Sequence, residues 1–237
     1  MIFAGIVAGG TGSRMGATSL PKQFLPLCGK PVIIHTIDAF LRIPRIDHVI
    51  VGVNPDWYEY MQQLSEKYCG GAVCVTRGGA DRNGTVENII RFAQKELSAQ
   101  NQDIILTHDA VRPFVSKRMI DESICGMEQY AICTAAVPAT DTMIMSSDGI
   151  TAGAFPLRRE MYNVQTPQTF RMGEFLDILC GLTEKDRENA TDVCRLYFEK
   201  GRTVHIVRGD ASNIKITYPS DLVMAEAILK THGCSGE

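Results

Sequence analysis

Phe3-Ala4-Gly5-Ile6-Val7 runs directly into Ala8-Gly9-Gly10-Thr11-Gly12-Ser13-Arg14-Met15-Gly16. The first five residues read as an apolar β-strand and the rest as a glycine-rich exit from it. Glycines that follow a parallel strand let the backbone turn sharply. They also bring N–H groups close to a phosphate, because no Cβ stands in the way. Taken alone, such a loop is a weak signal, with a simple tight turn as the alternative, so the rest of the chain has to decide.

Working outward, apolar β-rich runs alternate with helical patterns. Strands are expected near Phe3 to Val7, Val49 to Val53, Val73 to Thr76, Ile104 to Thr107, Ile132 to Val137 and Thr203 to Val207. Between them, Ile33 to Leu41, Trp57 to Tyr68, Thr85 to Leu97, Arg118 to Met127 and Asp192 to Lys200 space their apolar residues closer to the helical period than to alternation. A last helix is expected from Asp221 to Leu229, with Pro219 as start signal and Ser220 as cap. This is the pattern of βα units around a mainly parallel sheet.

One stretch breaks the rhythm. From Pro138 to Phe170 no helix is expected, only short β-prone pieces, Thr142 to Met145 and Met161 to Val164, around the turn Ser147-Asp148-Gly149. This predicts an arm or hairpin inserted in the α/β body, over about 138–170. Such an arm packs on a second subunit, so a homodimer is expected; a surface hairpin on a monomer is the alternative. With no repeat, low-complexity tract or linker, residues 1–237 are read as a single domain.

Composition narrows the function. The 237 residues, 45% of them hydrophobic, supply an ample core. Twenty-four Lys and Arg against 27 Asp and Glu leave a formal charge of −3, without the basic field that non-specific nucleic-acid binding needs. Any phosphate must therefore be met locally. No apolar run approaches the roughly 18 residues of a membrane span, and MIFAGIVAGG lacks the basic start and cleavage site of a signal peptide. A soluble cytoplasmic protein is expected, with no nucleic-acid and no membrane partner. The eight cysteines, Cys28, Cys69, Cys74, Cys125, Cys133, Cys180, Cys194 and Cys234, form no CxxC pair and are read as small buried thiols. The five histidines lie too far apart for a zinc site.

Two familiar glycine-loop readings fail. The dinucleotide fingerprint needs G-x-G-x-x-G, whereas the glycines here are Gly10, Gly12 and Gly16, and no acidic residue ends a second strand at the required distance. The Walker loop needs Gly-Lys followed by Ser or Thr, whereas Gly29-Lys30 precedes Pro31. What remains is a loop carrying Arg14 and followed by Pro21-Lys22-Gln23-Phe24, which sets two fixed cations near one phosphate chain. That suits nucleotidyl transfer, in which charge builds on the α-phosphate and the departing pyrophosphate. The plain alternative is that Arg14 and Lys22 are solvated surface charges.

These residues resemble the cytidylyltransferases that make CDP-alditols, namely the ribitol-5-phosphate and methylerythritol-phosphate enzymes. The resemblance continues through Gly78-Gly79-Ala80-Asp81-Arg82-Asn83, His108-Asp109-Ala110-Val111-Arg112-Pro113-Phe114, Gln165-Thr166-Pro167-Gln168-Thr169-Phe170, Asn213-Ile214-Lys215-Ile216-Thr217 and Pro219-Ser220-Asp221-Leu222. It implies a Rossmann-like nucleotidyltransferase fold, CTP and an alditol phosphate as substrates, and Mg²⁺ or another divalent cation as cofactor.

Residue by residue, the resemblance implies Arg14, Lys22 and Lys215 as catalytic cations, with Lys215 on the α-phosphate. It implies Val7, Ala8, Gly9, Gly10, Thr11, Gly12 and Ser13, then Gly79, Ala80, Asp81, Arg82, Asn83, Thr85 and Ala110, as nucleotide-binding. Thr85 stands where relatives often carry Ser, and Gly84 departs from the expected Thr or Ser. Strand alternation around Lys215 turns its ammonium away from Ile214 and Ile216. Asp109 follows a buried strand that opens at the carboxyl edge of the sheet. It is expected to hold Mg²⁺ and to meet substrate hydroxyls, or to form a salt bridge to Arg112, or both. His108 is expected to be packed or hydrogen-bonded, because an anionic phosphate needs no neutral nucleophile.

For the substrate phosphate the resemblance points to Arg158, or the adjacent Arg159, and Thr166, reaching into the neighbouring subunit's site. Thr191 is a third substrate position or simply a helix cap. Ala8-Gly9-Gly10, the GGADRN loop, H-D-x-V-R-P-F and Thr191-Asp192-x-Cys194 resemble the ribitol-phosphate members, while Ala110 matches the methylerythritol members. CDP-ribitol, a precursor of teichoic acid or a related cell-surface polymer, is the product expected. The competing classes are a non-catalytic nucleotide-binding protein on the same fold and a sugar-1-phosphate nucleotidyltransferase, which the Pro21-Lys22-Gln23-Phe24 and T-P-Q forms fit less well.

Overall fold

A computed structural model of the chain describes residues 1–10, 20–183, 186 and 192–233. The expected strands form with their ends shifted by a residue or two: β1 (Ile2–Ala8), β4 (His48–Val53), β5 (Val73–Arg77), β6 (Ile104–Asp109), β7 (Ile132–Pro138) and β9 (Val204–Arg208). A small antiparallel pair, β2 (Pro26–Leu27) and β3 (Lys30–Pro31), lies between β1 and the first helix. The expected helices are α1 (Val32–Leu41), α2 (Tyr58–Cys69), α3 (Arg82–Glu96), α4 (Lys117–Gly126), α6 (Val193–Glu199) and α7 (Pro219–Gly233).

The main sheet has seven strands in the order β5-β4-β1-β6-β8-β7-β9, where β8 spans Tyr162–Arg171. β8 runs antiparallel to both of its neighbours, and every other pairing is parallel. Successive strand residues face opposite layers, so each helix layer takes alternate positions. On one face Ala4, Ile6, Val51 and Leu106 pack with Ile33, Ile37 and Phe40 of α1, Met61 of α2 and Met119 and Ile120 of α4. On the other, Phe3, Ile50, Ile105 and Phe170 pack with Ile89 and Ile90 of α3, Phe175 of α5 (Met172–Cys180) and Leu196 and Tyr197 of α6. The result is a helix–sheet–helix sandwich. Its crevice opens where β1 and β6 end side by side, with Val7 opposite Asp109.

Three expectations change. The segment over 138–170 is an arm only in its first part. Residues from Tyr162 onward are a sheet strand, with Gln165 to Phe170 buried between β6 and β7, so the T-P-Q motif lies in the body of the sheet. In the arm itself, Thr142 to Met145 forms no strand, only a single bridge from Met145 to Ala154. The turn at Asp148 does form: its carboxylate accepts the N–H groups of Ile150 and Thr151. Second, α7 begins at Pro219, so Ser220 lies inside the helix; the Asp221 carboxylate instead accepts the N–H groups of Thr217 and Tyr218. Third, the thiols are not uniformly buried. Cys133 and Cys194 are, Cys69 and Cys74 are half-buried, and Cys28, Cys125 and Cys180 are exposed; Cys234 lies outside the described residues. Among the described residues no helix is long and apolar enough to cross a membrane.

Candidate functional site

The exit of β1 is held from beneath by Gln23. This residue sits with Lys22 and Phe24 in a 3₁₀ turn after Pro21. Its buried amide donates to the carbonyls of Ala8 and Gly10, both at 3.1 Å. With these two carbonyls engaged inward, less acceptor charge is left to repel an anion above the loop. Lys22, adjacent in the same turn, borders the cavity that opens there.

The second loop is built around Thr85. Its Oγ1 accepts from the Gly79 N–H at 3.1 Å and donates to the Asp81 carbonyl at 2.8 Å, folding the loop against α3. Gly79 lies so close to the backbone of Gly84 that a Cβ on Gly79 would come within 2.4 Å of it, which is why position 79 lacks a side chain. α3 starts a turn earlier than Thr85 because Asp81 caps it, accepting from Gly84 N–H at 2.6 Å. Aspartate at the cap outweighs the poor helix propensity of Gly84. Arg82, Asn83 and Gly84 are therefore the first helical turn, and its amino end points its dipole at the crevice.

Asp109, at the end of β6, lies within a ring of cations. Its Oδ2 is 3.0 Å from Lys215 Nζ and 3.1 Å from Arg112 Nε, and its Oδ1 is 3.6 Å from Arg82 Nε. Burial pushes the carboxyl up, but Arg82, Lys215 and Arg112 outweigh it and hold it below the usual carboxylate range. Three positive charges face one negative charge, so this ring keeps a surplus of about +2 directed at the crevice. Behind it, His108 is fully buried and burial pushes its pKa down to about 4. The neutral ring fits its partners: Nε2–H donates to the Arg112 carbonyl at 3.0 Å, and Nδ1 accepts from the Thr166 hydroxyl at 2.9 Å. Thr166 Oγ1 in turn accepts the Asp109 N–H at 3.1 Å.

The model of the 2-C-methyl-D-erythritol 4-phosphate cytidylyltransferase family matches residues 2–231. The chain belongs to this cytidylyltransferase family. It is similar to a ribitol-5-phosphate cytidylyltransferase of Streptococcus pneumoniae, 40% identical over 97% of this chain and 99% of that one. Among solved structures it resembles a 4-diphosphocytidyl-2C-methyl-D-erythritol synthase of Anaerococcus prevotii, with a TM-score of 0.77 at 28% identity over 97% of this chain and 96% of that one. A second structure of a 4-diphosphocytidyl-2C-methyl-D-erythritol synthase matches with a TM-score of 0.80 at 26% identity, over 96% and 98% of the two chains.

In this cytidylyltransferase-family chain, Val7, Gly9, Gly10, Lys22, Gly79, Ala80, Asp81, Arg82, Thr85, Asp109, Ala110 and Lys215 all border one cavity of about 390 Å³. All twelve are residues for which the sequence motifs imply a role at the site. Val111, which also borders the cavity, had no role implied by them. Ala8 lies beneath the loop with its carbonyl on Gln23, and Asn83 borders a separate small cleft beside Leu179 and Leu182. Arg158 is exposed on the arm, donating to the Thr140 carbonyl at 3.4 Å, and Arg159 faces Glu160. Thr166 is buried, and its hydroxyl is engaged by His108 and Asp109 of its own chain. Thr11, Gly12, Ser13, Arg14 and Thr191 lie outside the described residues. The segment carrying Lys215 is not a strand, yet Ile216 is buried while Lys215 turns to Asp109. Arg112 forms the salt bridge given as an alternative role for Asp109, and Gln23, Gln165 and Asn213 carried no signal beyond their place in the motifs.

The donor set limits what metal the family chain can hold. Among the described residues no three His, Cys, Asp or Glu side chains stand together as a ligand cluster. Asp81 and Asp109 are the carboxylates at the cavity, and Asp81 is occupied as a helix cap. Mg²⁺ binds through one or two carboxylates together with substrate phosphates and retained waters. Both Asp109 oxygens are engaged by Lys215, Arg112 and Arg82, so an ion brought in on a triphosphate would have to share this carboxylate with them. Asp109 does not form a metal centre by itself.

Proposed function

We propose that the protein transfers CMP from CTP to D-ribitol 5-phosphate, giving CDP-ribitol and pyrophosphate. The observation that carries this reading is the cation ring of Arg82, Arg112 and Lys215 about Asp109, set with Lys22 across one cavity from the glycine loop. A phosphate oxygen of the alditol phosphate attacks the α-phosphorus of CTP in line, and the bond to the β-phosphate oxygen breaks, releasing pyrophosphate. The nucleophile is already anionic and needs no general base. Lys215, Lys22 and Arg14 stabilise the charge that develops, and the two glycine loops hold the nucleotide. Mg²⁺ bound to the triphosphate would be held by Asp109 and supply charge neutralisation.

The arm supports assembly as a homodimer. It exposes Met145, Ile150, Phe155 and Leu157, with Ile150 88% and Phe155 67% accessible, apolar surface of the kind that a partner covers. On this reading Arg158, exposed on the same arm, or the adjacent Arg159, meets the substrate phosphate in the neighbouring subunit.

The choice of ribitol 5-phosphate rests on the 40% identity to ribitol-5-phosphate cytidylyltransferases. Methylerythritol 4-phosphate is the second reading, favoured by the family model, the solved structures and Ala110. A pyrophosphate-release assay crossing CTP, ATP, UTP and GTP with both alditol phosphates separates them. Turnover with CTP and ribitol 5-phosphate is expected; turnover with methylerythritol 4-phosphate instead selects the second reading, and none with either defeats both. Light scattering is expected to give the mass of a dimer.

A further inference from the structure

Lys215 faces Asp109 from a segment that is neither helix nor strand, so nothing in regular secondary structure fixes its backbone. A lysine side chain has high rotamer freedom and keeps a defined position only if its Cα is held firmly. On the C-terminal side the hold is plain: Ile216 N–H donates to the Val111 carbonyl at 2.9 Å and its side chain is fully buried. On the N-terminal side it comes from two buried amides. Gln165 Nε2–H donates to the Asp210 carbonyl at 2.8 Å, and its Oε1 accepts from Asp210 N–H and Asn213 Nδ2–H, both at 3.3 Å. Asn213 Nδ2–H also donates to the Thr166 carbonyl at 3.0 Å, and the Asn213 carbonyl accepts from Arg112 Nη1 at 2.8 Å.

We propose that Gln165 and Asn213 are positioning residues that set Lys215 in the cavity. The inference rests on the nucleotidyl-transfer reading for the importance of Lys215, but the placement itself does not. Gln165 is suited because an amide is both donor and acceptor, and the loop presents one group of each kind at Asp210. Gly209 brings the loop close enough for this: a Cβ there would stand 2.5 Å from Gln165 Oε1. Asn213 Oδ1, meanwhile, is buried with no hydrogen-bond partner among the described residues. Such an atom carries a desolvation cost, and the two Nδ2 bonds, to Gln165 Oε1 and to the Thr166 carbonyl, are what the Asn213 side chain provides in return. The two bonds at Thr166 and Arg112 join the loop to the same residues that hold Asp109, so the cation and its carboxylate share one frame.

The test uses the full-length protein. Q165M keeps the volume of Gln165 and removes both hydrogen-bonding functions. In the first readout, amine acetylation is followed by mass spectrometry at Lys215, with Lys30 as internal reference. The two are matched, with side chains 41% and 39% exposed and ion pairs of 3.0 and 2.6 Å to Asp109 and Asp38. The acetylation rate at Lys215 is expected to rise about fivefold in Q165M, the scale of one half-exposed ion pair, with Lys30 unchanged. No rise, or an equal rise at both lysines, overturns the proposal. In the second readout, Q165M is expected to lower kcat by about tenfold to a hundredfold, as for a displacement on the order of 1 Å, with KM for CTP little changed. In a K215A background it should have almost no further effect, whereas effects that multiply would mean a merely structural role and overturn the proposal. A wild-type protein inactive on every substrate pair defeats the functional reading, and the acetylation result still decides this one.

Discussion

Asp109→Asn keeps the shape of the side chain and removes its charge from the middle of a cation ring. In the wild type, Lys215 at 3.0 Å, Arg112 at 3.1 Å and Arg82 at 3.6 Å share that charge. Breaking a buried pair by deleting one partner costs about 3–5 kcal/mol. The low end applies here, because Lys215 is partly exposed and turns into water, while Arg112 is buried and keeps the Asn213 carbonyl. At pH 7 the variant is therefore expected to be about 3 kcal/mol less stable. The gap has a defined pH dependence. Burial raises the carboxyl and the three cations depress it further than burial raises it, so the folded-state pKa lies below the unfolded one. The charge then stabilises the fold fully above the unfolded value of about 3.9 and progressively less as the pH falls below it. Between pH 7 and pH 3 the gap is expected to narrow by about 1.3 kcal/mol, the cost of keeping deprotonated a carboxylate that the unfolded chain would protonate. Urea unfolding of both proteins at the two pH values measures this directly. A variant as stable as the wild type at pH 7, or a gap that widens toward pH 3, would refute the reasoning.

His108 titrates in the upper part of the same interval. Its folded-state pKa, lowered by burial to about 4, lies below the unfolded value, so the folded state resists protonation and stability falls as the pH drops through the unfolded pKa. Between pH 7 and pH 5 this accounts for about 2 kcal/mol; H108Q is expected to lose that much less over the same interval, and equal losses in both proteins would count against a neutral buried imidazole. Thr85→Val removes the hydroxyl that ties Gly79 to Asp81, and KM for CTP is expected to rise about tenfold, as for two lost hydrogen bonds. Thr85→Ser retains the hydroxyl and is expected to stay near wild type; comparable defects in both variants would mean that the methyl group matters instead.

Much of the fold was legible because β1, β4, β5, β6 and β7 are apolar runs separated by helical spacing, and local pattern is what such strands carry. β8 was not, because Val164-Gln165-Thr166-Pro167-Gln168-Thr169 mixes polar residues with a proline and shows no alternation. Its placement between β6 and β7 comes from pairing across the chain, with Phe170 opposite both Ile105 and Ile132. α5 was missed because it follows β8 with no loop and its first residue has no side-chain cap. At the site, Lys22, Asp109 and Lys215 could be named from motifs, since each lies beside a glycine, a strand end or a turn. The Asp109–Arg112 pair, three residues apart, was among the expectations. The approach of Arg82 to Asp109, and the amides of Gln23, Gln165 and Asn213, depend on contacts between distant segments that residue spacing does not encode, although all four residues fall within the motifs.

The arm leaves the sheet after Pro138 and re-enters at Tyr162, and these two residues are paired with each other. That pairing is a fixed joint. Residues between them can be added, removed or exchanged without shifting β8, and so without moving Gln165 or Thr166. A slip of one residue on the sheet side would instead turn every β8 side chain to the wrong layer. The arm is therefore an interchangeable part on a constant chassis. Variation in its length or sequence can change the apolar surface it exposes, and the setting of Arg158 with it, while leaving the frame around Asp109 in place.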